Sequence, residues 1–230
     1  MKVALFDIDG TLVWTHGAGR RAMERALGIV FGASGPPGHR YDGKTDMQIV
    51  REAMRLEGFA DDLIDARMAT VCSMYLAELE RELVGPDHGA KLLPGVAAVL
   101  EALDARDDVM LGLLTGNLVD GAGHKLRAVG VSPARFVVGA FGSDHEHRPS
   151  LPAIAQARAS VLLGRAVPGA SCIIIGDTPS DVACGRGIGA RAIAVATGYY
   201  DVLALAACAP AAVFADLTDT DAVVQAIVDA

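Results

Sequence analysis

The chain opens on four consecutive apolar residues, Val3–Ala4–Leu5–Phe6, that stop abruptly at Asp7. A short apolar run without polar alternation is the pattern of a strand buried on both faces, as inside a parallel sheet. Comparable runs recur at Val109–Leu114, Phe136–Phe141, Cys172–Ile175, Ala190–Ala196 and Ala212–Ala215. Between them the apolar positions return at helical spacing. Val96, Val99, Leu100 and Leu103 follow Pro94, which is well placed to begin a helix. Further helices are predicted over Leu118–Val129, Pro149–Leu163 and Pro179–Gly187, with a terminal one from Asp219.

Strands alternating with helices predict an α/β fold, a Rossmann-like parallel sheet with helices on both faces and right-handed crossovers. One long interval breaks the rhythm. From Gly17 to Gly89 no stretch reads as a buried parallel strand. Ala22, Met23, Ala26, Leu27 and Val30 mark a helix over Arg20–Gly32, and a glycine- and proline-rich loop runs on to Gly43. Helices are then expected at Thr45–Leu56, with Thr45 or Asp46 as N-cap, and at Asp61–Leu83, whole or broken, before Gly85-Pro86. The division predicted is an α/β core of residues 1–14 and 90–230, with an all-helical cap of residues 15–89 inserted after the first strand.

Composition narrows the function classes. Over 230 residues, 52% hydrophobic and 21% charged describe a globular chain with a sizeable core. A net charge of −8 argues against nucleic-acid and anionic-membrane partners, so any phosphate must be drawn by a local site. The four cysteines form no C-x-x-C pair and read as reduced thiols. The longest apolar run, Val202–Ala215, is short of a membrane span and contains Pro210. A cytoplasmic protein without a signal peptide, monomeric or homodimeric, is expected.

Candidate chemistry lies at the strand ends, where open α/β sheets bind ligands. The first strand ends in Asp7-Ile8-Asp9-Gly10-Thr11. Two ionised aspartates beside an apolar core need a cation or hydrogen bonds, and a hard divalent metal such as Mg²⁺ fits carboxylate oxygens and phosphate alike. The strand Val109–Leu114 ends in Thr115-Gly116-Asn117, a hydroxyl and an unhindered N–H suited to phosphoryl oxygens. By itself this turn reads better as a helix start with Asn117 as N-cap. The strand Ile173–Ile175 ends in Gly176-Asp177-Thr178-Pro179-Ser180-Asp181, where Thr178 and Pro179 start a helix. Asp181, in the first helical turn, points back toward Asp177.

Together these motifs resemble the haloacid dehalogenase-like hydrolase superfamily: Asp-x-Asp-Gly-Thr first, then a strand-end threonine, then Gly-Asp-x-x-x-Asp. A cap between the first and second motifs is the arrangement called a C1 cap, and the general character is closest to phosphoglycolate phosphatase-like enzymes. The resemblance implies that Asp7 is a nucleophile forming an aspartyl-phosphate and that Asp9 is general acid, then base. It implies that Thr115 holds the phosphate, with Gly10, Thr11, Gly116 and Asn117 around it. Mg²⁺ would be held by Asp7, the Asp9 carbonyl, Asp177 and Asp181. The family also requires a cation, usually lysine, before the helix leading to the last motif. Here that position is Arg148, with Lys125 as the alternative. Lys44, in the loop opening a cap helix, is the candidate to meet an anionic leaving group; it reads equally as a solvated lysine. The implied activity is Mg²⁺-dependent hydrolysis of a small phosphorylated metabolite. A phosphomutase of the β-phosphoglucomutase type is the alternative, with dehalogenase, phosphonatase and a non-enzymatic receiver-like module ranked below.

Overall fold

The structure, a computed structural model, describes residues 1–85 and 87–230; Pro86, read above as part of the break after the third cap helix, lies outside the described residues. Six strands form one parallel sheet: β1 Lys2–Phe6, β4 Val109–Leu114, β5 Val138–Ala140, β6 Cys172–Gly176, β7 Arg191–Val195 and β8 Ala212–Phe214. Their spatial order is β5-β4-β1-β6-β7-β8. The chain builds outward from β1 on one side, then crosses back to β6 on the other. The crevice between the carboxyl ends of β1 and β6 is therefore a topological switch point, where such sheets bind ligands. Register brings the strand ends level there, with Phe6 opposite both Leu113 and Ile175.

Alternation along the strands separates two apolar layers. Ala4, Phe6, Leu111, Leu113, Ile173 and Ile175 pack on one face against α4 Val96–Asp104, α5 Val119–Ala128 and α9 Thr220–Asp229. Val3, Leu5, Leu114 and Ile174 face α6 Leu151–Leu163 and α7 Pro179–Cys184. Both faces are covered, which is why the strands read as unbroken apolar runs.

After β1 come three helices, α1 Ala18–Phe31, α2 Asp46–Leu56 and α3 Asp61–Leu83, which bury an apolar cluster of their own around Met23, Leu27, Met54, Tyr75 and Leu79. The helix α3 is unbroken. Thr45 is the N-cap of α2, its side chain accepting from the Gln48 amide, so Asp46 is free for another partner.

Several boundaries differ from those expected. The strand predicted at Phe136–Phe141 shortens to Val138–Ala140, because Pro133–Arg135 forms a 3₁₀ turn that delays entry into the sheet. The helix after Thr178 ends at Cys184 and continues only as a 3₁₀ turn, Gly185–Ile188. Two elements were not expected. Val13–Trp14 (β2) pairs antiparallel with Lys91–Leu92 (β3), tying together the two chain crossings of the insert. Asp201 caps a short helix, α8 Val202–Ala206, inside the apolar run, its side chain accepting from the Ala204 amide.

Candidate active site

Asp7 leaves the end of β1 with its N–H donated to the Ile175 carbonyl at 2.9 Å, which fixes it against β6. Asp177 follows the last residue of β6. Asp181 lies in the first turn of α7 and closes a capping box: its Oδ2 accepts from the Thr178 amide at 3.0 Å and hydroxyl at 2.6 Å. The three carboxylates are buried, and each offers an oxygen within 4.8 Å of those of the other two. Burial, with the charges of Asp181 and Asp9 adding to it, pushes Asp7 up to about 6 against the pull of Arg148 and a Thr115 hydrogen bond. Burial, then the neighbouring Asp181 and Asp7, holds Asp177 well above the usual carboxylate range.

This donor set fits a divalent cation. It offers hard oxygen atoms converging from three directions, and their mutual repulsion is what an ion would relieve. The surrounding backbone is shaped to them as well. A Cβ on Gly10, which has φ +79°, would lie 2.3 Å from Asp177 Oδ2, so only glycine lets the loop after Asp9 close over that carboxylate. The Thr11 hydroxyl donates to Asp177 Oδ1 at 3.1 Å. Thr11 is fully buried and is not among the residues lining the cavity described below.

The two candidate cations part company. Arg148, 3% exposed, sits in the 3₁₀ turn before α6; its Nη2 lies 3.4 Å from Asp7 Oδ1 and pairs with Asp181 Oδ1. Lys125, on α5 and equally buried at 3%, reaches Asp9 instead, with Nζ 2.6 Å from Oδ2. It also donates to Asn117 Oδ1 at 2.5 Å. The Asn117 amide completes the set, donating to Asp9 Oδ2 at 2.8 Å and to the Thr115 hydroxyl oxygen at 2.7 Å.

The insert lies directly on these loops. The Asp46 N–H donates to the Gly116 carbonyl at 2.8 Å, and the Asp46 Oδ2 accepts from the Leu118 amide at 2.8 Å. The Thr45 hydroxyl donates to the Glu146 carbonyl at 2.6 Å, and Arg51 pairs with the Glu146 carboxylate at 2.6 Å. Burial raises Asp46 to about 6, against the charge of Lys125 and the Leu118 hydrogen bond. Sequence reasoning saw Asp46 only as a possible cap of its own helix. Its place at the N-terminus of α5 is a contact between distant segments that no local pattern announces.

Beneath the insert is a cavity of about 230 Å³ whose walls include Asp7, Asp9, Thr115, Arg148, Asp177 and Lys44. Gly10, Gly116 and Asn117 also reach it. Lys44 does so already paired, its ammonium 2.5 Å from Glu52 Oε2. Such a site brings together a buried carboxylate, Asp7, a second carboxylate, Asp9, within reach of a bound molecule, and several cations, among them Arg148, Lys125 and Lys44. That is equipment for transfer of an anionic group.

Residues 1–189 match the model of the haloacid dehalogenase-like hydrolase family. The chain is 29% identical over 203 residues to a phosphoglycolate phosphatase of Rhodospirillum rubrum, covering 86% of this chain and 80% of that one. Its fold is similar to that of a hydrolase from Pseudomonas syringae, with TM-score 0.74, 21% identity and 98% of both chains covered. It is also similar to a predicted phosphoglycolate phosphatase from Haemophilus somnus, with TM-score 0.71, 20% identity and 98% of both chains covered. Among the described residues no helix is long and apolar enough to cross a membrane.

Proposed function

The chain belongs to the haloacid dehalogenase-like hydrolases, and on that premise we propose that it is a Mg²⁺-dependent phosphatase of a small phosphorylated metabolite, working through an aspartyl-phosphate on Asp7. The observation that carries this reading is the buried Asp7 at the switch point, with Arg148 3.4 Å from its carboxylate and Asp177 and Asp181 converging beside it. Asp7, Asp177 and the Asp9 carbonyl would hold the ion, which supplies the positive charge that lets an anionic nucleophile meet an anionic ester. Asp181, both of whose oxygens are engaged by Arg148 and Thr178, orients the arginine.

The carboxylate of Asp7 attacks phosphorus, and the bond from phosphorus to the leaving oxygen breaks. Asp9 delivers its proton to that oxygen, so the product leaves as an alcohol. As carboxylate, Asp9 then takes a proton from the water that attacks the phosphorus of the aspartyl-phosphate. Inorganic phosphate departs and Asp7 is restored. The Thr115 hydroxyl and the Gly116 N–H hold phosphoryl oxygens, and Arg148 balances charge on the nucleophile. Residues 15–89 act as the cap that closes this chemistry from water, and the small cavity supports a leaving group of few atoms. Lys44 reads the leaving group, with Glu52 limiting the charge it presents.

The similarity to a phosphoglycolate phosphatase puts phosphoglycolate first in the panel that tests this reading. Phosphate release from small phosphoesters is measured with Mg²⁺ and with EDTA, for the parent and for Asp7→Asn. The expected result is turnover that requires the metal and disappears in the variant. Turnover by Asp7→Asn at the parent rate would remove the aspartyl-phosphate from the mechanism, and turnover undiminished in EDTA would remove the metal.

A further inference from the structure

Lys125 is a buried ammonium that the nucleophile does not use. It lies on α5, 3% exposed, where a leucine or alanine would serve helix and core equally well. Desolvating an ammonium costs several kcal/mol unless it is well paired. Its partners are Asp9 Oδ2 at 2.6 Å and Asn117 Oδ1 at 2.5 Å, while Arg148 is the cation beside Asp7.

The pairing is lopsided in a telling way. Both Lys125 and the Asn117 amide bind the same oxygen of Asp9, Oδ2. The other oxygen, Oδ1, has no protein hydrogen-bond partner among the described residues, and the side chain, 43% exposed, lines the cavity. Asn117 cannot turn to compensate. Its Oδ1 faces the ammonium, and its Nδ2 is shared between Asp9 and Thr115. The fork therefore clamps one edge of the carboxylate and presents the other to whatever occupies the cavity.

We propose that Lys125 is a positioning residue for Asp9: with Asn117 it fixes the carboxylate by Oδ2, so that Oδ1 is held toward the leaving oxygen. The inference rests on the reading of Asp9 as the group that moves the proton. Lys125 borders the cavity and acts on the reaction through Asp9. The site thereby divides its cations, Arg148 serving the nucleophile and Lys125 the proton carrier.

Lys125→Met keeps most of the length of the side chain and removes its charge; Lys125→Arg keeps the charge. kcat/KM reports the first chemical step, in which an alkyl phosphate needs a proton on its leaving group and p-nitrophenyl phosphate does not. For Lys125→Met the alkyl value is expected to fall about 10²-fold, the cost of a misplaced catalytic group, while the aryl value stays within about threefold. Lys125→Arg is expected to recover part of the alkyl loss. Equal losses on both esters, or no loss on either, would overturn the proposal. A second readout is independent of turnover. In a crystal structure of Lys125→Met the Asp9 carboxylate should leave Asn117 Nδ2, and an Asp9 that stays in place would overturn the proposal. If the parent hydrolyses neither ester, the phosphatase reading fails, while the position of Asp9 in that crystal still decides the role of Lys125.

Discussion

Asp7 and Asp9 stand two residues apart at one strand end, yet they meet different cations, and their substitutions should differ accordingly. Arg148 bridges Asp7 and Asp181 in a buried cluster, so Arg148→Ala leaves three carboxylates facing one another. Breaking a buried pair from one side typically costs about 3–5 kcal/mol. Thermal denaturation of Arg148→Ala in EDTA should show a loss of that order, shrinking as the pH is lowered and the acids are protonated. A loss that does not change with pH would mean that the arginine serves packing alone. Asp9→Asn keeps the backbone carbonyl and removes the transferable proton. Its kcat/KM for an alkyl phosphate should fall by about 10²–10⁴, the usual worth of positioned acid–base catalysis. An activated aryl phosphate should lose less in that first step. Water attack then lacks its base, so phosphate should accumulate on Asp7, and mass spectrometry of quenched enzyme would detect it. Hydrolysis of an alkyl phosphate at the parent rate would exclude Asp9 as acid and base.

At the scale of elements, the insert meets the core where α3 packs on α5 and at the amino end of α2. Gly116 is a point of close approach: a Cβ there would lie 2.0 Å from the Lys44 carbonyl oxygen. Gly116→Ala should therefore hinder seating of the insert while leaving the sheet intact. The expected result is a large loss of kcat/KM, with circular dichroism and melting temperature close to the parent's. Unaltered kcat/KM would mean that the closed contact is not needed for turnover. The sequence brought the loop before α2 to the site through Lys44, but the contacts of Asp46 with Gly116 and Leu118 were not legible in it, although much else was. The buried strands announce themselves because both of their faces are covered, so Val3–Phe6 and Ile173–Ile175 carry no polar residue to blur the run. Their polar tips were legible for the same reason, as sudden carboxylates after apolar stretches. What escaped is set by distance along the chain. The β2–β3 ribbon has two residues in each strand, too few for a pattern. Asn117 read as a possible cap for α5, but its side chain is taken by Asp9, Thr115 and Lys125. The acceptor for the first amide of that helix region, that of Leu118, comes from Asp46, which is 72 residues away. Lys125 read as one of two cations for a single acid. Only the fold shows that each acid has its own.

For the whole molecule, closure gathers acids whose protonated forms the fold favours, and this fixes how stability depends on pH. Asp7 and Asp46 are both raised to about 6 from an ordinary 3.8, chiefly by burial, and Asp177 too is held well above that ordinary value. A carboxyl whose folded value is raised binds more protons in the folded state than in the unfolded chain. Its contribution is fully present below the unfolded value and is lost as the pH rises through the folded one. For Asp46 that window runs from 3.8 to about 6, and the shift corresponds to on the order of 3 kcal/mol at neutral pH, an upper bound for what its removal can recover. His39 works in the opposite direction, because burial lowers its value and the charge of Lys44 adds to the effect. The total curve therefore mixes signs, and a difference between two proteins isolates one group. Asp46→Asn keeps an oxygen for the Leu118 amide and loses the charge. In EDTA, its melting temperature relative to the parent should rise between about pH 4 and about pH 6.5. Mg²⁺ should behave differently. A metal binds deprotonated carboxylates, so it should stabilise parent and variant alike at the upper pH and do little for either at the lower. A melting difference between the two proteins that stays flat across that range would show that Asp46 is ionised at no cost in the closed form. If Mg²⁺ instead abolished the difference, Asp46 would belong to the metal site and not to the contact between α2 and α5.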